Sequence, residues 1–159
     1  MFNTTSARFT LLVLSIAVIC SGGCDGQRTV SDRSLEFIDA PRLSELIAEA
    51  EAEPGKSRLL LIDPRDEISF ANAHLPGAQN VRLVDVPLDR GRDPAIERFK
   101  NIVVYGDHPS DPPAKGIAKR FLRMKYDNVL LYDGGLMDWT SRGLPTERIE
   151  GPLPGTSEP

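Results

Sequence analysis

NIVVYGDHPSDPPAKG, residues Asn101 to Gly116, decides the fold. Ile102 to Tyr105 is a continuous apolar run of the kind carried by a strand covered on both faces. It ends in a polar, proline-rich loop, after which Ile117, Ala118, Phe121 and Leu122 recur at helical spacing within Ala114 to Lys125. A strand that runs into a loop and hands over to a helix is the unit of open parallel sheets. In such sheets ligands collect at the carboxyl ends of strands, because loop amides and a helix N-terminus converge there. The convergence point in this chain is Gly106 to Asp111. It offers no thiol, since the two cysteines of the sequence, Cys20 and Cys24, both lie near the N-terminus.

Working outward, the same alternation repeats. Leu35 to Ile38 reads as a short strand, and Asp39 caps a helix that has Pro41 in its first turn, where a missing N–H costs nothing. Leu43, Leu46, Ile47 and Ala50 keep a helical period until Pro54 and Gly55 stop it. Leu59 to Ile62 is a second buried-strand run. Strand, helix, strand at this spacing is a βαβ unit, which predicts a largely parallel sheet with right-handed crossovers and helices on both faces. Asp66 to Ala73 reads as a short helix, Leu75-Pro76-Gly77 as a turn, Gln79 to Leu83 as a brief strand, and Asp93-Pro94 as the start of a helix through Phe99. Val129 to Tyr132 is the last strand. Asp133-Gly134-Gly135 then turns into Leu136 to Arg142, closed by Gly143 with Pro145 beyond it. The expected class is α/β, with one domain over residues 35–149.

The ends read differently. Arg8, the apolar run Phe9 to Cys20 and the small residues Ser21, Gly22 and Gly23 have the three-part form of an export signal over residues 1–24. Twelve residues is short of the roughly 20 a spanning helix needs and inside the roughly 7 to 15 of a signal core. Ser21-Gly22-Gly23-Cys24 resembles the bacterial lipobox, which implies lipidation of Cys24 and attachment to a membrane; ordinary cleavage that leaves a free Cys24 is the alternative. Asp25 to Ser34 is polar and aperiodic and reads as a tether with a reach of about 17 Å. Residues 150–159 are rich in Pro, Gly, Ser and Glu and read as a loose tail. A formal net charge of -4 leaves no clustered basic excess for nucleic acid.

Three segments together resemble the rhodanese-like family of sulfurtransferases. Leu60-Leu61-Ile62-Asp63-Pro64-Arg65 with Ala73-His74-Leu75-Pro76-Gly77-Ala78-Gln79-Asn80-Val81 is similar to the family's first signature. Asn128 to Gly135, with Trp139 and Gly143-Leu144-Pro145, is similar to its closing one. Ile102 to Tyr105 matches the strand that leads into the active loop. The resemblance implies a rhodanese-like fold and places the family's sulfur-carrying cysteine directly after Tyr105, where this chain has Gly106. A thiolate is the nucleophile in persulfide transfer, and glycine has no side chain to supply one. Where the family often carries a basic residue that holds an anionic donor, counting places Asp111. The resemblance further implies structural roles for His74, hydrogen-bonded to fix the turn after its helix, and for the Gly134-Gly135 and Trp139 segment.

The remaining residues weigh as follows. Asp63 and Arg65 at a strand end form a candidate structural ion pair. Asp107, His108, Ser110 and Asp111 could ligate a divalent cation or pair a nucleophile with a base, but side chains adjacent on a loop need not converge. The reading preferred for the segment is ordinary turn chemistry, with Asp and Ser making local backbone bonds and Pro fixing φ. Trp139 reads as core. Lys115, Lys119, Arg120, Arg123 and Lys125 make the outer face of the last long helix basic, which is ordinarily solvated surface. The expectation is a catalytically silent rhodanese-like domain at the cell envelope that binds another envelope protein, with no cofactor, metal or nucleic acid. The alternatives are a hydrolase or metal-assisted enzyme that reuses the 106–113 loop, and an accessory to an active sulfurtransferase.

Overall fold

Among the described residues five short strands pair side by side, in the spatial order first, fifth, fourth, second, third of the chain, and every pairing between them is parallel. The computed structural model describes residues 29–53, 58–87 and 91–150; the expected export signal with Cys24, residues 25–28 of the expected tether, the expected Pro54-Gly55 stop and residues 151–159 of the expected tail lie outside them. The strands are β1 (Glu36–Ile38), β2 (Leu59–Asp63), β3 (Gln79–Asn80), β4 (Asn101–Tyr105) and β5 (Val129–Tyr132). The helices are α1 (Ala40–Ala52), α2 (Glu67–Asn72), α3 (Pro94–Glu97), α4 (Pro112–Arg123) and α5 (Gly135–Ser141). Among the described residues no helix is long and apolar enough to cross a membrane.

Because successive strand residues point to opposite faces, the apolar runs of β2, β4 and β5 feed two cores at once. Leu60, Ile62, Ile102, Val104, Val129 and Leu131 pack beneath Ile117, Ala118 and Phe121 of α4. Leu61, Val103, Tyr105 and Tyr132 pack against Leu43, Leu46 and Ile47 of α1 and Leu136 and Trp139 of α5. This is the two-faced α/β sheet expected from the runs. The Asp39 carboxylate caps α1, accepting from the Arg42 amide at 3.0 Å.

Four readings need correction. The tether expected over residues 25–34 does not extend over residues 30–34, because Val30 is buried in the α4-side core and Asp32–Ser34 forms a 3-10 turn whose Asp32 pairs with Lys119 and Lys115. The basic face of α4 is accordingly put to use, since Arg120 also donates to the carbonyls of Leu83 and Val86. The strand predicted over Gln79 to Leu83 pairs only at Gln79 and Asn80, and Leu83–Asp85 is a 3-10 turn. Finally, α4 begins at Pro112 rather than Ala114. Its first amides have no partner within the helix in any case, so two prolines fit the first turn without loss.

Candidate functional site

β2 and β4 are neighbours in the sheet although the chain visits β3 between them, so their carboxyl ends form the switch point of the topology. Two loops meet there, and they are built differently.

The loop after β2 is a closed polar network. Asp63, 0% exposed, pairs with the Arg65 guanidinium at 2.7 Å (Nη2 to Oδ2) and accepts a 2.6 Å hydrogen bond from the Tyr105 hydroxyl. Tyr105 in turn accepts from the Leu75 amide at 3.1 Å, and Arg65 Nη2 also donates to the Ala73 carbonyl. The Asn80 side-chain amide donates to the carbonyls of Asp63 and Arg65. Burial, followed by the charge and hydrogen bond of Asp63, pushes the Tyr105 hydroxyl far above its ordinary pKa, which keeps it a donor. Burial works against the Arg65 charge, but the hydrogen bonds and charge of Asp63 more than offset it and leave its pKa raised. His74 Nδ1 lies 2.8 Å from the Phe70 carbonyl, its ring stacks on Phe70 at 4.0 Å, and its backbone exchanges hydrogen bonds with Glu147. These contacts join the end of α2 to the Leu75-Pro76-Gly77 turn and the C-terminal segment.

The loop after β4, Gly106 to Asp111, is held from both sides. Its Gly106 and Asp107 carbonyls accept from the Leu136 and Met137 amides at the start of α5, both at 2.9 Å. That approach explains the left-handed Gly135 (φ 65°): a Cβ there would lie 2.8 Å from the Asp107 carbonyl and the His108 amide. A Cβ on Gly134 would crowd the Asp138 carboxylate and the Tyr132 ring. Across the loop, the Ser110 amide donates to Asp133 Oδ1 at 3.0 Å, and Ser110 itself is left-handed (φ 64°). Trp139 anchors the far side, with Nε1 donating to the Pro145 carbonyl at 2.7 Å and its ring edge-on to Tyr132.

Asp111 is not at the tip where its place in the sequence suggests. It is 9% exposed and folds back as the cap of α4. One carboxylate oxygen accepts from the Ala114 amide at 3.1 Å and the other from the Asp107 amide at 3.3 Å. Asp107 projects outward, 59% exposed, with Arg65 Nη1 3.5 Å away. His108 is exposed, and its Nδ1 lies 3.1 Å from the Pro109 carbonyl. The structure therefore does not bring Asp107, His108, Ser110 and Asp111 together. Among the described residues no group of three acidic, histidine or cysteine side chains could hold a metal ion, and no hydrogen bond joins Ser110 to His108. Sequence reasoning missed two residues that shape the site. Tyr105 lies within a strand run and Asp133 within a turn; neither has a local signal, since each acts on a residue distant in the chain.

A parallel α/β domain with its polar loops at this switch point is a common class, and a family match narrows it. The rhodanese-like domain family model matches residues 44–142, and the chain belongs to that family. Among solved structures, it is similar to the rhodanese-like domain of an Anabaena protein, at 25% identity over 77% of this chain and 87% of that one, with a TM-score of 0.53. A Bacillus halodurans protein matches at 23% identity over 73% and 78%, TM-score 0.56. A Rhodopseudomonas palustris protein of unknown function, described as a possible tyrosine phosphatase, matches at 20% over 72% and 86%, TM-score 0.57. The last two likenesses concern the fold.

Proposed function

We propose that this chain is a rhodanese-like protein without sulfurtransferase activity, exported and lipid-anchored through Cys24, that works as a binding module for another protein at the cell envelope. The observation that carries the reading is Gly106, standing where the family resemblance puts the sulfur-carrying cysteine, in a chain whose two cysteines precede the domain. Persulfide transfer has no atom to start from there.

The loop geometry supports the same reading from another side. A loop that takes an anionic donor needs free amides, yet the Asp107 and Ala114 amides are engaged by Asp111 and the Ser110 amide by Asp133. Two carboxylates already on those donors would repel thiosulfate or a phosphate ester alike, so the phosphatase description of the Rhodopseudomonas neighbour does not carry over. The hydrolase alternative draws no support from Ser110 and His108: no hydrogen bond joins the two among the described residues, and His108 Nδ1 lies against the Pro109 carbonyl.

The test is cyanide-dependent thiosulfate turnover by the full chain. The expected rate equals that of a heat-denatured control, and saturable turnover would overturn the reading. The anchoring half is tested by fractionation: the chain is expected with membranes, and Cys24→Ala is expected to release it.

A further inference from the structure

Gly106 and Asp111 stand in a relation that goes beyond the absence of a thiol. Gly106 lies outside the left-handed region, so its backbone admits a side chain. Space does not. A Cβ built there falls within 2.8 Å of Asp111 Oδ2 and nearer still to Asp111 Cβ and Cγ, and those three atoms are its closest neighbours. The obstruction is not a free side-chain end that can swing aside. Both Asp111 oxygens are engaged, by the Asp107 and Ala114 amides, and the carboxylate is buried. Moving it strips the α4 cap and leaves the Asp107 and Ala114 amides without their acceptor.

We infer that Asp111 is the residue that decides what position 106 can hold: its inward carboxylate fills the room a side chain at 106 would need, so the loop is locked as glycine by residue 111 and not by its backbone. A reintroduced thiol meets the same lock. Gly106→Cys alone gives a destabilised chain, and Gly106→Cys with Asp111→Gly is the variant in which the thiol fits.

A double-mutant cycle on the full chain tests this, read as the midpoint of thermal unfolding. Gly106→Ala is expected to lower the midpoint by about 5–10 °C. Asp111→Gly keeps a residue tolerated at a helix cap and lowers it less. In the Asp111→Gly background the further change Gly106→Ala is expected to move the midpoint by less than about 2 °C. If Gly106→Ala is too unstable to purify, recovery of folded Gly106→Ala/Asp111→Gly supports the lock. An equal loss in both backgrounds, no loss in either, or failure of the double variant to fold overturns it. The cycle reads packing and is blind to turnover, so its failure would leave the proposed absence of sulfur transfer standing, and the reverse also holds.

Discussion

The two loops at the carboxyl edge of the sheet are a few ångströms apart and obey different rules. After β2, the Asp63, Arg65, Tyr105 and Asn80 network is interior: charge meets charge, and each polar group has a partner. After β4, the loop turns its own acid inward to cap a helix and leaves Asp107 and His108 in solvent. The first loop holds the fold together and the second is shaped by what it excludes. The residues of the first signature thus close into a partnered network on one side of the switch point, while the loop on the other side seats its own carboxylates on its amides.

The contrast can be broken most forcefully at Asp63. Asp63→Ala leaves the Arg65 guanidinium with only the Ala73 carbonyl and the exposed Asp107, and since breaking a fully buried pair costs about 3–5 kcal/mol, a loss of about 3 kcal/mol is expected. Urea denaturation should show that loss, and a loss below about 1 kcal/mol would mean the network is not interior. Tyr105→Phe removes the donor to Asp63 and leaves the Leu75 amide without its acceptor, for which about 1–3 kcal/mol is expected. On the other loop, Asp133→Ala frees only the Ser110 amide at the surface, and a loss of about 0.5 kcal/mol is expected. A larger loss there than at Tyr105 would reverse the comparison.

The smallest effect is in acid. Asp138 is held below its ordinary 3.8 by hydrogen bonds from Arg142 and Tyr132, and Asp66 by hydrogen bonds from Ser69. Depressed carboxyl pKa values add stability that is fully present above the unfolded value and is lost as pH falls through the folded one. Chemical denaturation at stepped pH should therefore show stability falling below about pH 4. Asp138→Asn should flatten part of that fall.

Most of the sheet was legible because buried strands leave continuous apolar runs: Leu59 to Ile62, Ile102 to Tyr105 and Val129 to Tyr132 each became a strand. The Asp63–Arg65 pair was legible because the two residues sit two apart at a strand end. Other features had no local signal. Val30 is one apolar residue in a polar segment, without periodicity, and only the surface of α4 makes it core. The Pro112-Pro113 pair looked like loop because proline breaks helices in their interior, whereas here it occupies a first turn. The direction of Asp111 was illegible for a further reason. Its charge and position are in the sequence, but whether it faces solvent or the loop depends on Gly106, five residues away, having no side chain.

The reading of the 106–111 loop as closed by its own carboxylates is tested most directly by thermal unfolding of the unmodified chain with increasing thiosulfate and, separately, inorganic phosphate. A ligand at 100 times its dissociation constant adds about 2.7 kcal/mol to the folded state, several degrees in a domain of this size. With Asp111 and Asp133 already seated on the loop amides, neither anion is expected to move the midpoint beyond the shift given by chloride at equal ionic strength. A saturable rise with either one would contradict a loop closed by its own carboxylates.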